Sequence, residues 1–344
     1  MKKYRVAIVG LGRMASTIDD EVKDSLSDWI PYSIASACQK IESVELVAGA
    51  DILPEKREAF KQRWGVKALY EDYLEMIEKE KPDLVAICTK GDLHAEMGIK
   101  VASSGVPMIY LEKAIACSMK EADMLLEACR KNKTLLNTGV LRRFNRQYRK
   151  ARQLIENGEI GQVRAIAHYG ATNLLHGHIH SVDTIMYLLG DPIAKSVWGE
   201  LLPRSIKIEN NRLDYDPSAI YQIEFDGGIE AWTINAGNWD FEIWGTNGSI
   251  KSTDNGTGWV IRKPSSQKRG MTTEIPFPEV EGPSATVYCL LDLINAYEEG
   301  RQPIGNIEVT HRATEICLAI AESHIQGKRV NLPISNRDLY ILHV

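Results

Sequence analysis

Gly10-Leu11-Gly12-Arg13-Met14-Ala15 follows directly on the apolar run Arg5-Val6-Ala7-Ile8-Val9. A buried strand that breaks into G-x-G-x-x-A predicts a tight turn onto a helix N-terminus. The first glycine permits the turn. The second lets the backbone approach a pyrophosphate, and the small sixth residue lets helix pack on strand. The helix start then offers free N–H groups and a partial positive charge to phosphates. The stretch therefore predicts a dinucleotide site built from Gly10, Leu11, Gly12, Arg13 and Met14.

Outward from this turn, short β-branched runs recur at Val44-Glu45-Leu46-Val47-Ala48, Asp83-Leu84-Val85-Ala86-Ile87, Pro107-Met108-Ile109-Tyr110 and Thr134-Leu135-Leu136-Asn137. Such runs read as strands buried on both faces. Amphipathic stretches lie between them. Ser118-Met119-Lys120-Glu121 is a capping box, and Gly105 with Pro107 stops a helix that starts near Leu93. Repeated βα units imply a doubly wound α/β domain of the Rossmann type over residues 1–140.

Asp51 ends the second run, where a carboxylate can accept hydrogen bonds from an adenosine ribose. It lies further from Gly10 than the usual interval of about 20 residues. An acidic insertion, Ser16 to Trp29, accounts for the difference; it carries Asp19, Asp20, Glu21, Asp24 and Asp28. We expect it to precede a helix near Pro31 to Ile41 and either to fold over the cofactor or substrate entrance or to form a surface loop with no role. Ile52, Leu53 and Pro54 follow Asp51 with no adjacent arginine to hold a 2′-phosphate, so NAD is expected over NADP. Lys56 and Arg57 could reach back and soften that preference.

Residues 141–344 read differently. A helix from about Asn145 ends at Asn157-Gly158, and a strand follows at Val163 to Tyr169. A helix from about Ile179 stops near Gly190. Strands are expected near Ile220 to Phe225, Ile229 to Asn235 and Phe241 to Trp244, with turns at Asp226-Gly227-Gly228 and Asn247-Gly248. Lys263 to Gly270 reads as a polar loop. Helices at Thr286 to Glu299 and Thr310 to Gln326 close an α+β domain with an open, mostly antiparallel sheet.

Composition bounds the partners. The 344 residues carry a net charge of -5 with acids and bases interspersed, which is no footprint for nucleic acid. No apolar run approaches the roughly 20 residues that span a bilayer, and the first residues read as running into a strand rather than into a signal peptide's apolar region. Six cysteines without a C-x-x-C pair read as reduced core residues of a cytoplasmic protein.

His176-Gly177-His178-Ile179-His180-Ser181-Val182-Asp183 concentrates polar groups. On one continuous helix, His176, His180, Asp183 and Tyr187 share a face beside the apolar stripe Ile179, Val182, Met186 and Leu189. His176, His178 and His180 also alternate, so a strand would align all three, and either arrangement could hold Zn²⁺. No cysteine or carboxylate cluster completes the set, and no metal is expected. Arg142 and Arg143 read either as a solvated or ion-paired helix start or as a contact to substrate or nicotinamide.

Together these stretches resemble the Gfo/Idh/MocA family (glucose–fructose oxidoreductase, inositol dehydrogenase, rhizopine catabolism). The marks are Gly10 to Ala15, Asp51, Thr89 with His94, Glu112-Lys113, the histidine stretch with Leu188 and Gly190, and Phe241-Glu242-Ile243-Trp244-Gly245-Thr246-Asn247-Gly248. Ala114 stands where the family has proline after Glu-Lys, from which we expect a less rigid backbone. His176 stands where Asp is frequent, and His178 where Gly is frequent.

The resemblance implies a two-domain NAD(P)-dependent dehydrogenase of sugars or polyols. It implies that Lys113 and His180 meet at the substrate hydroxyl with His176 assisting. It also implies that Ile52, Thr89, His94, Glu112 and Lys113 join the cofactor site, that Asn173, Asp183, Arg142 and Arg143 contact substrate, and that the exposed sheet face builds dimers or tetramers. Hydride transfer from a carbinol needs its hydroxyl proton removed, which a histidine or a lysine of depressed pKa can do; a lysine also steadies a developing alkoxide. Two further readings share these residues: an NAD-retaining glycosidase or epimerase that oxidises a ring carbon transiently, and a non-enzymatic NAD-binding sensor.

Overall fold

The computed structural model describes residues 3–24 and 29–343. Contacts divide the chain into two compact units, one of residues 1–145, 283–311 and 344, the other of residues 146–282 and 312–343. This corrects the expected contiguous second domain, since Pro283–His311 belongs with the first unit. The reason is packing. Val287, Cys289, Leu290, Leu293 and Ile294 of the helix Ala285–Glu299 share one hydrophobic core with Val6, Ile8, Leu84 and Tyr110. Ser284 Oγ and Thr286 Oγ1 donate to the carbonyls of Pro31 and Tyr32 at 2.7 and 2.8 Å, and Asn137 Nδ2 donates to the Cys289 carbonyl at 3.0 Å.

Among the described residues the first unit holds a six-stranded parallel sheet. Its strands are β1 (Tyr4–Val9), β2 (Val44–Ala50), β3 (Ala68–Tyr70), β4 (Leu84–Ile87), β5 (Met108–Leu111) and β6 (Leu135–Thr138), in the order β3-β2-β1-β4-β5-β6. The expected runs supply five of these strands. The short edge strand β3 carries too little apolar pattern to be read. Strand order reverses between β1 and β4, so the crevice for a ligand opens at their C-terminal ends. The helix His94–Ser103 and the helix Met119–Asn132, capped by Ser118 Oγ, form as expected. The one near Pro31 is only Ile34–Cys38.

The second unit is built on a nine-stranded sheet. Its strands are β7 (Val163–Gly170), β8 (Ala194–Leu202), β10 (Ser218–Phe225), β11 (Glu230–Ile234), β12 (Asn238–Gly245), β13 (Gly248–Thr253), β14 (Gly258–Pro264), β15 (Thr272–Pro276) and β16 (Val330–Asn331). They lie in the order β15-β14-β13-β12-β7-β11-β10-β8-β16, and among the described residues only β7 and β11 pair in parallel. A separate small pair joins β9 (Arg212–Leu213) to β17 (Tyr340–Ile341). Strands β8, β9, β13, β14, β15, β16 and β17 were not expected from the sequence. The polar loop expected at Lys263 to Gly270 starts later, because β14 runs on through Pro264. The helices Arg146–Glu156 and Ile179–Leu188 form where expected. The expected helix at Thr310 begins earlier, at Ile307, and runs to Gln326. No described helix is long and apolar enough to cross a membrane.

Candidate active site

The glycine turn sits at the C-terminal end of β1. Gly10 adopts φ +81°, and a Cβ there would lie 2.8 Å from the Cys88 carbonyl oxygen, so only glycine fits. Its N–H donates to the Ala50 carbonyl at 2.8 Å, anchoring the turn to β2. At Gly12 a Cβ would meet nothing within 4 Å. That open space beside backbone N–H groups at a helical start is what a pyrophosphate needs, so these residues fit a dinucleotide. Leu11 is buried, Met14 half-buried, and Arg13 exposed with Glu21 as an ion-pair partner at 2.6 Å.

Asp51 follows β2 directly. Its Oδ2 accepts the Leu11 N–H at 2.8 Å and its Oδ1 the Leu53 N–H at 2.9 Å. One carboxylate thus ties the phosphate turn to the end of β2. Ile52 is 75% exposed. Arg57 does reach back: its Nη1 donates to the Asp51 carbonyl at 2.6 Å.

Several acids of the insertion have partners within the first unit. Asp19 accepts the Tyr32 and Ser33 N–H groups at 2.7 and 3.1 Å, Asp20 pairs with both terminal nitrogens of Arg63, and Glu21 holds Arg13. Three of its acids are therefore tied to partners instead of presenting free charge. Asp28 lies outside the described residues.

Thr89 follows β4, and Glu112 and Lys113 follow β5. Thr89 Oγ1 donates to the Met97 sulfur at 3.4 Å. His94 is buried, its Nδ1 2.7 Å from the Ala114 carbonyl and its Nε2 3.1 Å from that of Thr89. Burial lowers its pKa, so the ring is neutral. Glu112 is buried and accepts the Tyr110 hydroxyl; burial raises its pKa. These two expected cofactor residues thus lie under the strand ends and support the half-buried Lys113. The Lys113–Ala114 peptide is cis. The expectation of a looser backbone here is not met, since Ala114 is fully buried and its carbonyl is held by His94.

Arg142 and Arg143 lie in the tight turn Leu141–Phe144, 9% and 0% exposed. The Arg142 guanidinium stands 5.9 Å from the Trp29 ring centre. A solvated helix start is excluded by this burial.

In the second unit the histidine stretch is not one helix. Leu174–His178 forms a single wide turn, with the His178 N–H on the Asn173 carbonyl at 2.8 Å, and the regular helix begins at Ile179. The expectation that His176 shares the helical face of His180 and Asp183 is corrected accordingly. Asp216 causes the difference: its Oδ1 and Oδ2 accept the Leu175 and His176 N–H groups at 2.9 and 2.6 Å, and its carbonyl accepts Asn173 Nδ2 at 2.7 Å. His176 is exposed, and its ring faces that of His343 at 5.5 Å.

His178 is fully buried. Nε2 lies 2.9 Å from the Ala219 carbonyl and Nδ1 3.1 Å from Ser181 Oγ; burial lowers its pKa to about 4. His176 and His178 therefore point to different environments, and no group of three metal-ligating side chains converges among the described residues. His180 is half-buried with its ring 6.5 Å from that of Trp239. Asp183 is buried one turn further along. Asp216, His343 and Trp239 escaped the sequence reading. They lie 40 or more residues from the histidines they join, in stretches without a motif.

Residues 4–140 match a family model described as an oxidoreductase family with an NAD-binding Rossmann fold, and residues 152–332 match its C-terminal alpha/beta domain. The chain belongs to the Gfo/Idh/MocA oxidoreductase family. Its first unit is accordingly an NAD-binding Rossmann domain. Among Gfo/Idh/MocA relatives it is similar to scyllo-inositol 2-dehydrogenase (NAD(+)) of Bacillus subtilis, 28% identical over 270 residues, 72% of this chain and 73% of that one. It is also similar to myo-inositol 2-dehydrogenase of Thermotoga maritima, 26% identical over 203 residues, 55% of this chain. The match spans 56% of the Thermotoga protein's length. The fold is shared with an aldose-aldose oxidoreductase of Caulobacter crescentus, at a TM-score of 0.78 and 20% identity over 96% of this chain and 100% of the other.

Proposed function

We propose that this member of the family is an NAD-dependent dehydrogenase that oxidises, or in reverse reduces, one hydroxyl carbon of a sugar, glycoside or polyol. One observation carries the reading: Lys113 follows β5 at the same edge of the parallel sheet where Gly10 follows β1 and Thr89 follows β4. A cationic, proton-exchanging side chain thus stands at the dinucleotide edge. The names of the inositol dehydrogenase relatives support a polyol or ring sugar as substrate.

In this reading Gly10, Leu11, Gly12, Arg13, Met14, Asp51, Ile52 and Thr89 hold the dinucleotide, with His94 and Glu112 supporting from beneath. Bound NAD supplies the hydride acceptor. His180 takes the hydroxyl proton, and the Lys113 ammonium orients the hydroxyl and steadies the alkoxide as it forms. His176 assists His180 or passes the proton to solvent, to which it is exposed. Arg142, Arg143, Asn173 and Asp183 orient the substrate. The same reading makes the protein a cytoplasmic homodimer or homotetramer that binds neither nucleic acid nor membrane. The test is a panel of sugars, glycosides, sugar phosphates and inositols with NAD, followed by NADH absorbance. Steady NADH release is expected with at least one of them. Absence of turnover with every class would sink the proposal.

A further inference from the structure

We propose that Trp239 is a substrate-recognition residue, whose indole face receives the C–H face of a ring sugar or cyclitol beside His180. The inference deepens the dehydrogenase reading and rests on it. It starts from a break in strand register. Along β12 and β7, Asn238 pairs with Gly170 and Asp240 with Tyr169, so the register shifts by one residue at Trp239 and β12 bulges there. Bulges of this kind re-aim a side chain and are frequent near active sites.

Trp239 also adopts φ +60°. A left-handed backbone suits glycine or asparagine, and a bulky aromatic there is an outlier. Asparagines stand nearby at 235 and 238, yet tryptophan occupies the strained position. Strain of this kind persists where the surrounding structure enforces it, and it clusters at ligand sites.

The ring's surroundings give the strain a purpose. It lies 4.9 Å from the ring of His168, tilted by 58°, and 6.5 Å from that of His180, edge to face at 80°. His168 is fully buried, with Nδ1 3.1 Å from Thr233 Oγ1 and the Phe241 ring 4.9 Å away. A fixed histidine thus backs the indole, while Trp239 itself is only half-buried. The loop before it is also closely packed: Gly237, at φ +110°, would bring a Cβ to 2.7 Å from Tyr169 Cβ. A rigid flat aromatic face next to a proton-exchanging histidine matches a ring compound whose axial C–H bonds form one apolar face and whose hydroxyls point to its rim. The negative face of the indole attracts those C–H groups. An acyclic polyol has no such face.

The test is calorimetric binding of myo-inositol, methyl β-D-glucopyranoside and acyclic sorbitol to the NAD-loaded protein, in wild type, Trp239→Phe and Trp239→Asn. Asparagine accepts the left-handed backbone, so the second variant keeps its fold. Trp239→Asn is expected to weaken binding of the ring compound held by wild type by about three- to tenfold. Trp239→Phe should weaken it less, and sorbitol should be unaffected. Ring binding by Trp239→Asn as tight as wild type overturns the inference. So does an equal loss for ring and acyclic polyols, or a wild type that binds neither ring. Failure of the dehydrogenase reading looks different: the ring compound binds through Trp239, but no NADH forms.

Discussion

The imidazole Nδ1 of His94 lies 2.7 Å from the carbonyl oxygen of Ala114, next to Lys113. A neutral ring has one N–H to give, and Ala114 offers the closer of its two carbonyl acceptors. Ala114 is fully buried, so without His94 its carbonyl would be left unpaired. This bond connects the start of the helix His94–Ser103 to the backbone that carries Lys113.

His94→Phe removes that donor and should cost about 1–3 kcal/mol of stability, read by urea denaturation. Turnover should fall as well, because the Lys113 backbone loses its tie. His94→Gln, which keeps a donor, should recover part of both. Unchanged stability and kcat in His94→Phe would show that the bond positions nothing.

Lys113→Met and His180→Ala should each lower kcat by about 10²-fold or more, the usual loss for a general acid–base group. Their affinity for NAD, measured by calorimetry, should change little. Wild-type kcat in both variants would remove the proposed roles.

Asp51 should make the protein prefer NAD. A 2′-phosphate charge about 4 Å from a carboxylate costs roughly 4 kcal/mol at an effective dielectric of 20, and even half of that exceeds a tenfold preference. The Arg57 guanidinium, bonded to the Asp51 carbonyl at 2.6 Å, softens the effect without cancelling the charge. Calorimetry should find NAD the tighter ligand and Asp51→Ser less selective. Equal or tighter NADP binding by wild type would contradict the assignment.

His178 should make the fold acid-sensitive. Its pKa falls from 6.5 to about 4 on burial, so the unfolded chain binds its proton before the native one does. Stability is unaffected above pH 6.5 and declines as pH falls from there towards 4. The shift corresponds to about 3 kcal/mol at pH 4. His178→Gln should lose that much less stability than wild type between pH 7 and pH 4 in denaturant titrations. Parallel pH curves would show that His178 takes up its proton without unfolding.

The sequence by itself determined what neighbouring residues encode. Gly10 to Ala15 after an apolar run specifies a turn because φ freedom and small size are properties of those residues, whatever surrounds them. Runs such as Leu84 to Ile87 specify buried strands by their apolarity, and Asp51 falls at a strand end by counting along the chain. The helix Ile179–Leu188 was legible from its apolar stripe.

Tertiary structure alone decided which distant group each side chain meets. Asp216 turns Leu174–His178 into a wide turn from 40 residues away, which no periodicity of the histidine stretch announces. The helix Ala285–Glu299 joins the first unit through Pro31, Tyr32 and Asn137, though its own pattern shows only that one face is apolar. The bulge at Trp239 exists only against the register of β7. A hydrogen-bond partner or a strand register depends on two segments at once, and one segment read alone does not contain it.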